Sequence, residues 1–196
     1  SLESGRPNAC NLCHLDETLE WANQTLNEWY GQPLVELDED ERSIAAAILW
    51  VMKGDAAQRT ILGWHMGWDA AREASNQTWM APYLAQLLVD PYSVTRQVAY
   101  RSIVTLPGFQ YFEYDYIAST SVREGKADEA VELWLRAGGP EKLPLPVVHE
   151  NRPRRTESVH VPKRTEYPTQ VREKWSYCHE PLGFLNSLPV PGLKVV

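Results

Sequence analysis

The stretch Trp79–Phe109 reads WMAPYLAQLLVDPYSVTRQVAYRSIVTLPGF. Met80, Leu84, Leu87 and Leu88 recur at helical spacing and predict one amphipathic helix. Asp90-Pro91 interrupts it, because proline has no amide hydrogen to donate and pushes the residue before it out of helical conformation. Val94, Val98, Ala99, Ile103 and Leu106 then resume the period as an inward face, and Pro107-Gly108 closes it. Two helices joined by so short a break form a helical hairpin with a shared buried face. The chain therefore reads as all-α, built from such hairpins.

Working outward, the same period recurs upstream. Leu15, Leu19, Ala22, Leu26 and Trp29 make one stripe, with Asp16 and Glu17 in a predicted first turn and Gly31 at its end. Residues 38–54, DEDERSIAAAILWVMKG, predict a second helix with Ile44, Ile48 and Val51 on one face. A third covers about 56–68 with Ala57, Ile61, Trp64 and Trp68 on its stripe, and a short fourth covers 69–74. Downstream, Phe109, Tyr111, Phe112, Tyr114 and Tyr116 alternate loosely, which suits a short strand or an irregular loop on the helices. A last helix is predicted over 126–137, with Ala127, Val131 and Trp134 inward and Gly138-Gly139-Pro140 as its stop.

Leu87-Leu88, then Asp90-Pro91, then Arg96 and Ala99 together resemble a HEAT repeat, with Thr95 where that repeat usually has valine. The resemblance implies two-helix units that stack because none can bury its own face alone. From Pro140 onward prolines punctuate a segment without periodicity. Trp175, Tyr177 and Phe184 there favour a tail that docks on something over one that stays free.

A net charge of −7 with a pI near 5.3 argues against a nucleic-acid or anionic-membrane footprint, both of which need clustered cations. The basic clusters, Arg152 with Arg154 and Arg155 and Lys163 with Arg164, read as solvated loop charges. No apolar run approaches the roughly 18 residues of a spanning helix, and no signal-peptide pattern is present. A start at Ser1 rather than Met reads as a processed form or part of a longer chain.

The chemistry lies near that start, where Asn8–His14 reads NACNLCH. Cys-x-x-Cys-His is the pattern of covalent c-type haem attachment. Thiols three positions apart on one turn can each form a thioether with a porphyrin vinyl group, and the next residue, His14, is then placed to ligate the iron. Two rivals use the same thiols, and a third reading leaves them as two buried cysteines beside a surface histidine. A thioredoxin-like dithiol is expected between a strand and a helix, and nothing strand-like precedes Cys10. A structural zinc site needs four ligands, and the sequence shows no second Cys-x-x-Cys or spaced histidine pair.

Residues 6–31, RPNACNLCHLDETLEWANQTLNEWYG, resemble the last haem-binding segment of a family of extracytoplasmic multihaem c-type cytochromes whose C-terminal part is built of HEAT-like repeats. The matching elements are Pro7, Asn8, Ala9, Cys10, Cys13, His14, Trp21, Trp29, Tyr30 and Gly31, supported by WHMGW at 64–68 and by residues 90–109. The family's further haem motifs lie upstream and have no counterpart here. The resemblance implies haem c as cofactor, electron transfer rather than catalysis, a periplasmic or extracellular location, and redox proteins or cytochrome subunits as partners in a larger assembly. A structural docking subunit, or the C-terminal fragment of a larger multihaem complex, is the alternative.

On this reading the chain divides into a haem-attachment segment with its first helix over 1–35, repeats over 36–138 and a proline-rich tail over 139–196. The haem contacts expected are Cys10, Cys13, His14, Trp21, Trp64 and Trp68, the tryptophans supplying the aromatic cover that excludes water. His65 and Met66 are the local candidates for the distal iron ligand, with His149, His160 and His179 as remoter ones. His65 also reads as a histidine packed among tryptophans. Cys178 reads as an ordinary thiol, and the Asn-x-Thr sites at Asn23 and Asn76 as structural.

Overall fold

The computed structural model describes residues 6–139, and every structural statement below concerns those residues. The chain divides into two units, Ser1–Arg152 and Pro153–Val196, and the described residues fall in the first. The readings of the tail, including docking, Cys178, His149, His160 and His179, lie outside the described residues.

The fold is helical, with no strand among the described residues and one isolated bridge, Thr18 to Ala45. In order the helices are α1 (Ala9–Cys13), α2 (Leu19–Tyr30), α3 (Glu39–Ser43), α4 (Ala46–Lys53), α5 (Ala56–His65), α6 (Asp69–Ser75), α7 (Met80–Leu88), α8 (Ser93–Ile103) and α9 (Thr120–Arg136). A single 3-10 turn, Gln77–Trp79, leads into α7. α4 packs on α5 and α7 on α8, while α5 lies against α8, α4 touches α7, and α9 covers α7.

Local chemistry moves several boundaries from their expected places. α2 begins at Leu19 rather than Leu15 because the Thr18 hydroxyl accepts from the Trp21 amide at 3.0 Å and caps it. Gly31, at φ 63°, closes it in the left-handed conformation glycine adopts most readily. The helix expected over 38–53 is split in two. Asp38 and Glu41 form a capping box for α3, after which Ile44 is extended and Ala45 bridges Thr18. The bridge interrupts the helix because Ala46 gives its amide to the Glu17 carbonyl at 2.9 Å. The aromatic run is an irregular loop, with Phe109, Phe112 and Tyr114 buried. α9 begins at Thr120, earlier than the expected residue 126.

The inward stripes are rotated where α5 meets α8. Ala57, Ile61 and Trp64 stand exposed, and Leu62, Gly63 and Met66 face the core. On α8, Val94 is exposed while Thr95, Ala99, Ser102 and Ile103 are buried. Small residues explain the rotation: they let the two backbones approach closely. A Cβ on Gly67 would lie only 2.8 Å from Ser102 Cα of α8, while one on Gly63 would press on Leu87 Cδ1 of α7 at 3.1 Å and touch Val98 Cγ1 of α8 at 3.7 Å. The hydroxyls drawn into this seam satisfy each other, Thr60 Oγ1 lying 2.8 Å from Thr95 Oγ1.

Ions tie one hairpin to the next. Asp90, at the α7–α8 break, accepts from Arg59 Nε of α5 at 2.6 Å and from the Tyr92 amide at 2.8 Å. Arg96 is buried and gives Nη1 to the carbonyls of Asp90 and Pro91 and Nε to that of Tyr116, at 2.7, 2.9 and 2.8 Å. Leu84, Leu87, Leu88, Ile103 and Phe109 fill the core beneath them.

Gly67→Ala should lower stability by about 1–3 kcal/mol, because the added methyl meets backbone that cannot rotate away. Chemical denaturation followed by circular dichroism measures it, and unchanged stability would contradict the close packing of this seam.

Candidate functional site

α1 is only five residues long and is held by its own asparagines. Asn8 caps it, accepting the Asn11 amide at 3.0 Å and donating to Asn11 Oδ1 at 2.7 Å. Asn11 is fully buried and donates Nδ2 to the carbonyls of Glu17 and Thr18, at 3.0 and 3.3 Å. Leu12 packs against the main core. With Asn11 and Leu12 turned inward, Cys10 and Cys13 lie three residues apart on one side of the turn, each half-buried. Both are thiols.

His14 ends the helix, its amide bonded to the Cys10 carbonyl at 2.8 Å, and its side chain is exposed. Its ring centroid lies 5.0 Å from that of Trp21 on α2. Ser75, the last residue of α6, bonds the backbone on both sides of His14, to Cys13 O at 2.9 Å and Leu15 N at 2.7 Å.

The other candidates separate. His65, at the end of α5, meets the Trp68 ring edge-on with centroids 5.4 Å apart and hydrogen-bonds the Leu12 backbone, so it sits behind the Cys-x-x-Cys turn. Burial pushes its pKa down to about 4, with the bond to Leu12 working weakly the other way, and its buried Nδ1 has no partner. Met66 is wholly buried in the main core. Trp68 packs partly against that core, and Trp64 lies on the exposed stripe of α5. Of the three tryptophans, Trp21 is the one in ring contact with His14.

The donor set fits a covalent haem. Its two thiols share one side of a turn, both reach solvent in part, and an exposed imidazole follows directly. A redox dithiol fits less well, since burial pushes the Cys10 thiol up, whereas an attacking cysteine has its pKa lowered. Zinc fits least, because no group of three or more His, Cys, Asp or Glu able to hold a metal ion occurs among the described residues.

Sequence reading passed over Asn11 and Ser75, whose roles are visible only once segments distant in sequence are adjacent. It also passed over a cleft of about 570 Å³ on α2, lined by Leu19, Ala22, Leu26, Tyr30, Val35 and Leu37 among others. Asn23 builds its wall, holding Val35 by two bonds, Nδ2 to O at 2.9 Å and Oδ1 from N at 3.0 Å. Both ends of the Asn23 amide are thus engaged within the fold, as expected for a structural asparagine. At 100° per residue Trp21 projects from the opposite side of α2 to the lining residues, while Asn8, the cap of α1, also lines the cleft.

No protein-family model, curated protein or solved structure matches the chain.

The partly buried His65 makes stability depend on pH. Unfolded, it takes a proton near 6.5, but folded only near 4. Acid therefore favours unfolding across that window, and stability rises with pH from about 4 to 6.5 and then levels. In haem-free chain, wild type should lose on the order of 2 kcal/mol more than His65→Leu between pH 7 and pH 4. Urea midpoints at the two pH values measure this, and parallel losses would contradict it.

Proposed function

We propose that the chain is a c-type cytochrome carrying one covalent haem and relaying electrons between redox partners outside the cytoplasm. The observation that carries this reading is the Cys10, Cys13 and His14 set on one capped turn, with partly exposed thiols and an exposed imidazole. Such a haem supplies a one-electron iron couple. Cys10 and Cys13 would hold the porphyrin by thioethers and His14 would ligate the iron, with Trp21 of α2 against the His14 ring. His65, whose Nδ1 is unpartnered while the ring bonds the Leu12 backbone, and Met66, buried in the core, are the local candidates for a second iron ligand.

The packing of α4 and α5 beside α7 and α8, tied by Arg59 and Asp90, supports reading these pairs as HEAT-like units. No described helix is long and apolar enough to cross a membrane. A periplasmic or extracellular location is the part of this reading that thioether attachment of haem would imply, and the likeness to multihaem cytochromes rests on residues 6–31, 64–68 and 90–109.

One observation favours the second reading, a docking subunit or a fragment of a larger cytochrome complex. Trp29, Tyr30, Leu34 and Val35 are each more than half exposed beside the α2 cleft, and such grouping of large apolar residues marks interaction surfaces.

Denaturing mass spectrometry of protein from its native source should show the mass of one added haem, with a pyridine haemochrome spectrum of the c type. Replacing both Cys10 and Cys13 by alanine should abolish the covalent increment. An unmodified wild-type mass would sink the cytochrome reading and leave a helical interaction protein.

A further inference from the structure

Ser75 is 1% exposed and contributes nothing to the iron's proposed ligand set. Its hydroxyl accepts the Leu15 amide at 2.7 Å and donates to the Cys13 carbonyl at 2.9 Å. These two groups flank His14. In an inverse γ-turn the carbonyl before the central residue bonds the amide after it, with central angles near −75° and +65°. His14 has φ −94° and ψ 74°. It therefore occupies the centre of such a turn, with the Ser75 hydroxyl inserted between the two groups that would otherwise close it.

The remaining backbone groups of His14 are also bonded. Its amide donates to the Cys10 carbonyl at 2.8 Å, and its carbonyl accepts the Glu17 amide at 3.2 Å. The direction of its Cα–Cβ bond is thus set from both sides, once by the local chain and once by a side chain from α6. Ser75 is itself anchored: its carbonyl accepts Trp79 Nε1 at 2.9 Å, and Trp79 belongs to the main core.

We propose that Ser75 is the positioning residue for His14, holding open the turn that aims the imidazole at the iron. A methyl group can neither accept nor donate, so Ser75→Ala leaves the Leu15 amide and Cys13 carbonyl unmatched. The turn then relaxes by closing on itself, which re-aims the ring relative to both thiols and to Trp21. The effect on the iron rests on the haem reading above; the effect on the ring does not.

The test uses the full chain as wild type, Ser75→Ala, Ser75→Thr and Thr95→Val. The last removes the buried Thr60–Thr95 hydroxyl pair on the α5–α8 seam and serves as a stability control. In haem-loaded protein, electron paramagnetic resonance and the midpoint potential report ligand orientation. In haem-free protein, NMR reads exchange of the Leu15 amide and cross-relaxation between the His14 and Trp21 rings. Ser75→Ala should speed Leu15 exchange about tenfold or more, weaken the ring contact and shift the resonance. Ser75→Thr should restore all of these, and Thr95→Val should leave them unmoved.

Unchanged ring contact and resonance in Ser75→Ala, or equal changes in Thr95→Val, would overturn the proposal. If Ser75→Ala fails to fold, Ser75→Cys, nearly isosteric but a weaker donor and acceptor, carries the same comparison. A wild type without haem would sink the cytochrome reading alone, because the haem-free ring contact still decides the role of Ser75.

Discussion

The arrangement around His14 depends on anchoring a helix too short to stand alone. Five residues in water cannot recover the entropy of forming a first turn. α1 persists because buried groups hold it: Asn11 from within, the bridge between Thr18 and Ala45 beyond its end, and Ser75 across from α6. These bonds are made away from water, where leaving any one unmade costs more than a surface bond would. The candidate site is therefore a product of the helical stack rather than of its own sequence.

The stack in turn depends on small residues. Gly67, Ser102 and the Thr60–Thr95 pair let α5 and α8 lie close, and α6 follows, its last residue, Ser75, reaching the Cys-x-x-Cys turn. Arg59 and Asp90 then fix one hairpin on the next. With Asp90 almost fully buried, loss of Arg59 would strand its charge, so the pair costs more to break than an exposed one would.

The helical class was legible because α7 and α8 carry long, clean 3.6-residue periods and a proline break. What was not legible involved residues whose hydropathy misstates their burial. Thr95 and Ser102 are polar yet buried, and Trp64 and Val94 are apolar yet exposed, because backbone proximity at glycine and hydroxyl pairing outweigh hydropathy at that seam. The split between α3 and α4 was hidden because Ile44 and Ala45 suit a helix locally, and only Thr18, distant in sequence, pulls them out of it. At the site, Cys10, Cys13 and His14 were readable as a contiguous pattern and Trp21 followed from the helix beside them. Asn11 and Ser75 were not, since nothing in an isolated asparagine or serine says which backbone it will meet.

The two faces of α2 suggest how an exposed ligand site and an apolar surface can share one small unit. Helical geometry puts Leu19, Ala22, Leu26 and Tyr30 on one side and Trp21 on the other. Trp21 meets the His14 ring on one side, while the cleft takes in the other side and Asn8, the cap of α1. Asn23 pins the loop wall by two bonds to Val35, so the cleft is preformed and needs no ligand to order it.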